Sequence, residues 1–365
     1  MIDNIKISKS FTVGDWKNLR PDLIYSDQRW MEAFDIFEDR LKSRFFNPID
    51  LIKANGKNEG EGFSITLISV VMLESLAAFE LGKIYKSNKD RLSPCEYNSG
   101  IKLFRLFFNK SKVFSPHFSS NTAIENFYEN IRCGLVHEGR TLKNDVIISE
   151  NSIKNTQNGK IYFKVEGESR LNRDLLLLKI VEYIEALKNR IIQNDISTRN
   201  NFILKMDEIS GLKHVWYFIY GSNLKQSRLN ERLKQFQDNY LMKVNSLLKD
   251  YEFTYNKQSD DGTSKGNLYI NKDSHVHGVA ILLLKDTLDL FVNKYEKGYK
   301  LVEIEIESLH EDISYEYKAF TCISNLITDV EPSKEYLELV VSGAEENNLP
   351  EDYIENKLKR KLKNI

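Results

Sequence analysis

Apolar residues in the first half of the chain recur at three- and four-residue steps, the spacing of a helix face. Trp30, Phe34, Phe37 and Leu41 do so between Asp27 and Phe46, predicting a helix that stops near Asn47-Pro48, because the residue before a proline is pushed out of helical geometry. Residues 55–62, rich in Gly, Asn and Lys, read as a loop. Gly62 to Tyr85 is apolar on almost every face and predicts a central helix covered by its neighbours. Glu74 lies inside it and requires a partner, since an isolated buried charge is costly. Gly100 to Phe108 and Thr122 to Leu135 supply two more helices. Asp145 to Glu150 and Lys160 to Glu166 have strand character on either side of Asn155 to Gly159, which predicts a short hairpin. Asn172 to Asn194 is a long amphipathic helix through Leu175, Leu178, Val181, Ile184, Leu187 and Ile191. The polar stretch Gln193 to Asn201 has little to bury, and a linker is expected at 196–210.

The second half changes period. Lys213 to Tyr220 is an aromatic and β-branched run that breaks at Gly221-Ser222-Asn223 and passes into Leu224 to Phe236, where leucines return to helical spacing. This is a buried strand, a tight turn and a helix. At such a turn Gly221 lets the backbone approach a ligand, and the first free N–H groups of the helix face any anion there; an ordinary strand-to-helix connection has the same pattern. The chain therefore reads as α+β in two domains: a helical bundle with a short hairpin at 1–195, and a small mixed β-barrel with flanking helices at 211–365.

Tyr217-Phe218-Ile219-Tyr220-Gly221-Ser222-Asn223 resembles the Tyr-Gly-Ser-Asn signature of the γ-glutamylcyclotransferase-like family. The resemblance continues in order through Leu248 to Lys257, Gly266 to Ile270, Val276 to Leu283, Tyr295-Glu296-Lys297-Gly298-Tyr299, and Glu331 to Leu337 followed by Leu349 to Ile354. It implies removal of a γ-glutamyl group by cyclisation to 5-oxoproline with release of an amine, with Glu296 as the catalytic carboxylate. Tyr220, Gly221, Ser222, Asn223, Tyr299 and Tyr336 are then the expected substrate contacts, a small γ-glutamyl compound the substrate, and no metal or cofactor is required. A single carboxylate suffices because the nucleophile is the substrate's own α-amine: it takes the ammonium proton and returns it to the departing amine. Tyr295, Tyr299 and Phe291 beside Glu296 would desolvate it and raise its pKa. Val292-Asn293 stands where the family often has Leu-Asp, with Leu288-Asp289 four residues earlier.

Asn130 to Gly139 carries a second pattern. Arg132 and His137, separated by four residues near a helix end, resemble the Arg-x4-6-His motif of HEPN domains, helical bundles that dimerise and often cleave RNA without metal. A histidine can move protons near neutral pH and a guanidinium can grip phosphate. Five residues along a regular helix turn the side chain by about 140°, so a dimer with both motifs facing one cleft is what the resemblance implies. The position after Arg132 is Cys133, where active members generally have a polar residue. A helix-capping arginine and a histidine bonded to carbonyls near Gly139 explain the same residues structurally. Dimerisation, RNA binding and RNA cleavage thus remain open for this domain. An alternative function follows, a HEPN-type ribonuclease effector of bacterial stress or phage defence in which the cyclotransferase-like domain senses or regulates.

Composition narrows the setting. The 365 residues are 41% hydrophobic and 29% charged with a net charge of −1, so no overall basic excess points to nucleic acid or an anionic membrane. Three scattered cysteines build neither a disulfide framework nor a zinc site, and a cytoplasmic setting is expected. Met1 to Lys6 lacks the marks of a signal peptide, and Phe63 to Leu81 is too often interrupted by Ser, Thr and Glu for a good membrane span. His275 and His277 share a strand face but have no evident third ligand, and Glu303, Glu305 and Glu307 read as a solvated face.

Overall fold

In the computed structural model, which describes residues 2–57, 59–87, 90–118, 120–149, 159–310 and 313–359, the change of period becomes a change of architecture. The chain separates into two units, Met1–Ser87 with Tyr97–Ser210, and Asn88–Glu96 with Gly211–Ile365. The class is α+β.

The first unit is mostly helical: Val13–Leu19 (α1), Arg29–Leu41 (α2), Asn47–Asn55 (α3) and Glu61–Leu81 (α4) come first. The two-residue strands Ile84–Tyr85 (β1) and Glu96–Tyr97 (β2) precede Gly100–Lys110 (α5) and Asn121–Asn126 (α6). Val146–Ile148 (β3), Tyr162–Val165 (β4) and Glu168–Asn172 (β5) form a small sheet before Arg173–Ile192 (α7) and Ile196–Ile209 (α8). Helix α4 is long and apolar enough to cross a membrane by length and composition; in this unit its Val70, Leu73, Leu76 and Phe79 are buried. Phe37 meets Phe79 with ring centroids 4.5 Å apart, and Phe202 of α8 lies within 6.3 Å of Trp16, Trp30, Phe34, Phe37 and Phe79.

Several expectations are corrected here. The helix does not stop at Asn47-Pro48: Lys42–Phe46 is a π-helical turn and Pro48 sits in the first turn of α3, where its missing N–H is not needed. Helix α4 ends a turn earlier than Tyr85 because Gly82 takes the left-handed conformation (φ +57°) that closes a helix. The expected hairpin has a different pairing. Strand β4 pairs antiparallel with β5, and β3 runs parallel to β5. Of the expected turn, residues 155–158 lie outside the described residues.

The expected linker at 196–210 is helix α8. Asp195 caps it, its side chain accepting from the Thr198 N–H at 3.1 Å. Two of its charged residues are buried and paired: Arg199 donates to Asp27 at 2.6 Å and to the Ile191 carbonyl at 2.8 Å, and fully buried Asp207 accepts from Arg20 Nε and Trp16 Nε1 at 2.7 Å. Polarity marked paired groups rather than a solvated tether.

In the second unit, His214–Ile219 (β6), Gln226–Lys234 (α9), Met242–Gln258 (β7), Ser264–Leu284 (β8), Lys285–Tyr295 (α10), Lys300–His310 (β9), Ile313–Ile323 (β10), Lys334–Glu346 (α11) and Glu351–Tyr353 (α12) follow in order. The strands pair in a closed ring, β10-β6-β8-β7-β9. Long β7 pairs with β8 on one edge and, at Ser246 and Leu247, with β9 on the other, and its register with β8 shifts between Lys249 and Tyr251 and between Tyr255 and Lys257. Phe218, Leu248, Val276, Ala280 and Ile306 share one face of the ring and are buried in its interior. His275 and His277 have ring centroids 5.2 Å apart, and among the described residues no group of three metal-ligating side chains occurs. Glu303 pairs with Lys318 at 2.6 Å and Glu305 with Arg91 at 3.0 Å on the exposed side.

Candidate active site

Helix α10 ends by placing Glu296 at its C-terminus, where the Glu296 N–H still bonds the Val292 carbonyl at 2.9 Å and the Tyr299 N–H returns to the Glu296 carbonyl at 3.1 Å. The carboxylate thus hangs on a rigid end. Asn223, from the turn after β6, donates its Nδ2 to Glu296 Oε1 at 2.8 Å. Arg232 on α9 donates to Asn223 Oδ1 at 2.8 Å and lies 3.7 Å from the same Glu296 oxygen, its guanidinium 4.6 Å over the Tyr295 ring. Because a guanidinium only donates, Arg232 fixes which way the Asn223 amide points.

The Glu296 side chain is 13% exposed and the Arg232 side chain 16%. Burial raises the Glu296 pKa above its ordinary value, and Arg232, the Asn223 hydrogen bond, Arg228 and Lys257 pull back against it. Glu296 opens onto a cavity of about 430 Å³ whose lining includes Ser222, Lys257, Tyr299 and Tyr336. The hydroxyl of Tyr299 donates to the Gly266 carbonyl at 2.6 Å and the Gly266 N–H donates to the Tyr336 oxygen at 2.9 Å, so both rings are pinned to one backbone position. The Ser222 N–H and hydroxyl face Tyr336 as well. Gly221 lies close under Tyr336: a Cβ there would stand 3.3 Å from the Tyr336 hydroxyl.

Of the expected contacts, Ser222, Tyr299 and Tyr336 line the cavity with Glu296, Gly221 abuts Tyr336, and Asn223 stands behind the carboxylate as its donor. Tyr220 is different. It is buried and donates to the Cys322 carbonyl, so its hydroxyl serves the barrel wall rather than a ligand. Arg232 and Lys257 were not anticipated. Arg228 and Arg232 stand at i and i+4 just past the turn, a readable spacing that puts both on one helix face. Lys257 follows a register shift after Tyr255, so strand period alone does not place it.

In the first unit Arg132 is not a free cation. It bonds Glu74 Oε2 through Nε at 3.0 Å and Nη2 at 2.7 Å, which answers the requirement for a partner to Glu74. His137 is exposed. Phe127–Glu138 is π-helical, with the Gly139 N–H bonding the Gly134 carbonyl, so the 140° separation of a regular helix does not apply over this segment.

Residues 285–357 match the AIG2-like family, a span that holds Glu296, Tyr299 and Tyr336. The second unit thus carries an AIG2-like region. Among solved structures the chain is similar to a γ-glutamyl cyclotransferase (22% identity over 40% of this chain and 88% of the other, TM-score 0.36). It is also similar to YkqA from Bacillus subtilis (19%, 44% and 58%, TM-score 0.35). A third is a γ-glutamyl cyclotransferase specific to glutathione from yeast (10%, 41% and 96%, TM-score 0.32). No curated protein sequence matches the chain.

Proposed function

We propose that the second unit is a γ-glutamylcyclotransferase-type enzyme with Glu296 as its acid–base group. The observation that carries this is a buried carboxylate, oriented by Asn223 and Arg232, opening onto a cavity that Ser222, Tyr299 and Tyr336 line beside the turn after β6. Glu296 takes a proton from the substrate's α-ammonium, and the freed amine attacks the γ-carbonyl carbon, forming the ring C–N bond. The original C–N bond then breaks as Glu296 returns the proton to the departing nitrogen, and the second hydrogen of the ring nitrogen passes as a proton to the freed amine, leaving 5-oxoproline and an ammonium product. A raised carboxyl pKa suits both halves of this traffic. Tyr336, already accepting from Gly266, keeps its own proton to offer the γ-carbonyl oxygen as charge builds there. Measuring 5-oxoproline release from γ-glutamyl compounds by wild type and Glu296→Gln tests the reading.

For the first unit we propose a dimerisation or RNA-binding role centred on the π-helical segment that carries Arg132 and His137. The Arg132–Glu74 pair disfavours cleavage, because the guanidinium is already engaged. If expression of the chain arrests growth and His137→Ala abolishes the arrest, the nuclease alternative is restored.

A further inference from the structure

We infer that a cavity in the first unit binds a phosphomonoester, with a nucleotide the form its lining fits. The cavity holds about 340 Å³ and is lined by Lys53 of α3, Gly60, Gly62 and Phe63 around the start of α4, Ile147 of β3 and Arg173 of α7. Gly62 precedes Glu74 by twelve residues, about 18 Å of helix, so this place is separate from the Arg132–Glu74 pair.

The arrangement of charge asks for an anion. The Arg173 guanidinium packs against Gly62, where a Cβ would stand 2.7 Å from Nη1, and so it lies against the first turn of α4. A cation there opposes the macrodipole, which favours negative charge at a helix start. Gly60 brings no side chain to cap that start. Among the described residues Arg173 Nε is buried without a hydrogen-bond partner. The acids nearby leave the demand unmet. Asp174 is 3.7 Å from Arg173 Nε and 3.8 Å from Lys53 Nζ, a single carboxylate beyond hydrogen-bond distance of either cation. Glu61, the acid on the lining, is turned back to the Lys57 N–H. A phosphate between Arg173, Lys53 and the start of α4 accepts from both side chains and meets the favourable end of the helix. Phe63, 43% exposed on the lining, offers a base an aromatic face.

Calorimetric titration of the full chain with AMP and adenosine, and with an RNA decamer bearing a 5′-phosphate or a 5′-hydroxyl, tests this. The phosphorylated member of at least one pair should bind about tenfold or more tightly than its partner, the worth of a charged hydrogen bond. A preference confined to AMP assigns the site to free nucleotide, and one larger in the RNA pair assigns it to a chain end. Arg173→Met should abolish the preference, as should Gly62→Ala, which keeps every charge and displaces the guanidinium. Lys53→Met, at a side chain 44% exposed, should reduce it without endangering the fold. If neither pair shows a preference for phosphate, or if the preference survives Arg173→Met and Lys53→Met unchanged, the inference is overturned.

Discussion

Arg232→Met removes a cation from Glu296 while keeping a side chain of similar reach under Tyr295. The structure sets the size of the effect. The guanidinium is 3.7 Å from Glu296 Oε1, donates at 2.8 Å to Asn223 and covers an aromatic ring at 4.6 Å, with both charged side chains less than a fifth exposed. A Coulomb interaction at that range is at most about 4 kcal/mol for an effective dielectric constant near 20. The lost charged hydrogen bond is worth about 1.5–3 kcal/mol, and relief of the arginine's own desolvation offsets part of the sum. We expect a net destabilisation of about 2–4 kcal/mol at pH 8. The sign of its pH dependence follows from Glu296. Its folded pKa is already raised, so it contributes stability below its unfolded value that is lost as pH rises through the folded pKa. Without Arg232 that pKa climbs further and the loss on ionisation is larger. Urea unfolding of both proteins at pH 4.5 and pH 8 reads this out: the gap between them widens with pH. An equal gap at both values refutes the Arg232–Glu296 coupling.

Asp207→Ala leaves Arg20 and the Trp16 indole buried without their acceptor and should cost about 3–5 kcal/mol by denaturant titration, where a linker residue would cost nothing measurable. Gly278→Ala drives a Cβ to 2.4 Å from the Ile219 carbonyl and 2.6 Å from the Phe218 ring, and thermal unfolding should show a loss of about 1–3 kcal/mol or more. Because burial raises the Glu296 pKa, the acid limb of the kcat/KM profile should lie above the ordinary value of 4.5, and Arg232→Met should move it higher still.

How far the sequence discloses the molecule depends on whether a group's neighbours are local. The turn after β6 and the placement of Glu296 after α10 were legible because aromatic alternation, a glycine break and a return to helical spacing lie within a few residues of each other. Helix α8 was not legible. Arg199 and Asp207 look solvated in sequence, and only Asp27, Ile191, Arg20 and Trp16, most of them distant along the chain, make them core residues. Strand β10, whose Tyr317, Ala319 and Thr321 alternate inward, passed unread behind the acidic face of β9. The partner of the Tyr220 hydroxyl was hidden for the same reason: the Cys322 carbonyl lies on β10. The roles of Arg232 and Lys257 depend on a cavity lined from α9, β7, β8, α10 and α11, and no local pattern states what a side chain will find across such a space.

The central claim is that Glu296 performs acid–base cyclisation in the second unit. Its most direct test is 5-oxoproline release from a panel of γ-glutamyl amino acids, amines and glutathione by wild type and Glu296→Gln, with urea unfolding confirming that the variant is folded. The account predicts release by wild type from at least one compound and a loss of at least about a hundredfold in Glu296→Gln. A folded Glu296→Gln that releases 5-oxoproline as fast as wild type, or a wild type silent across the panel, contradicts it.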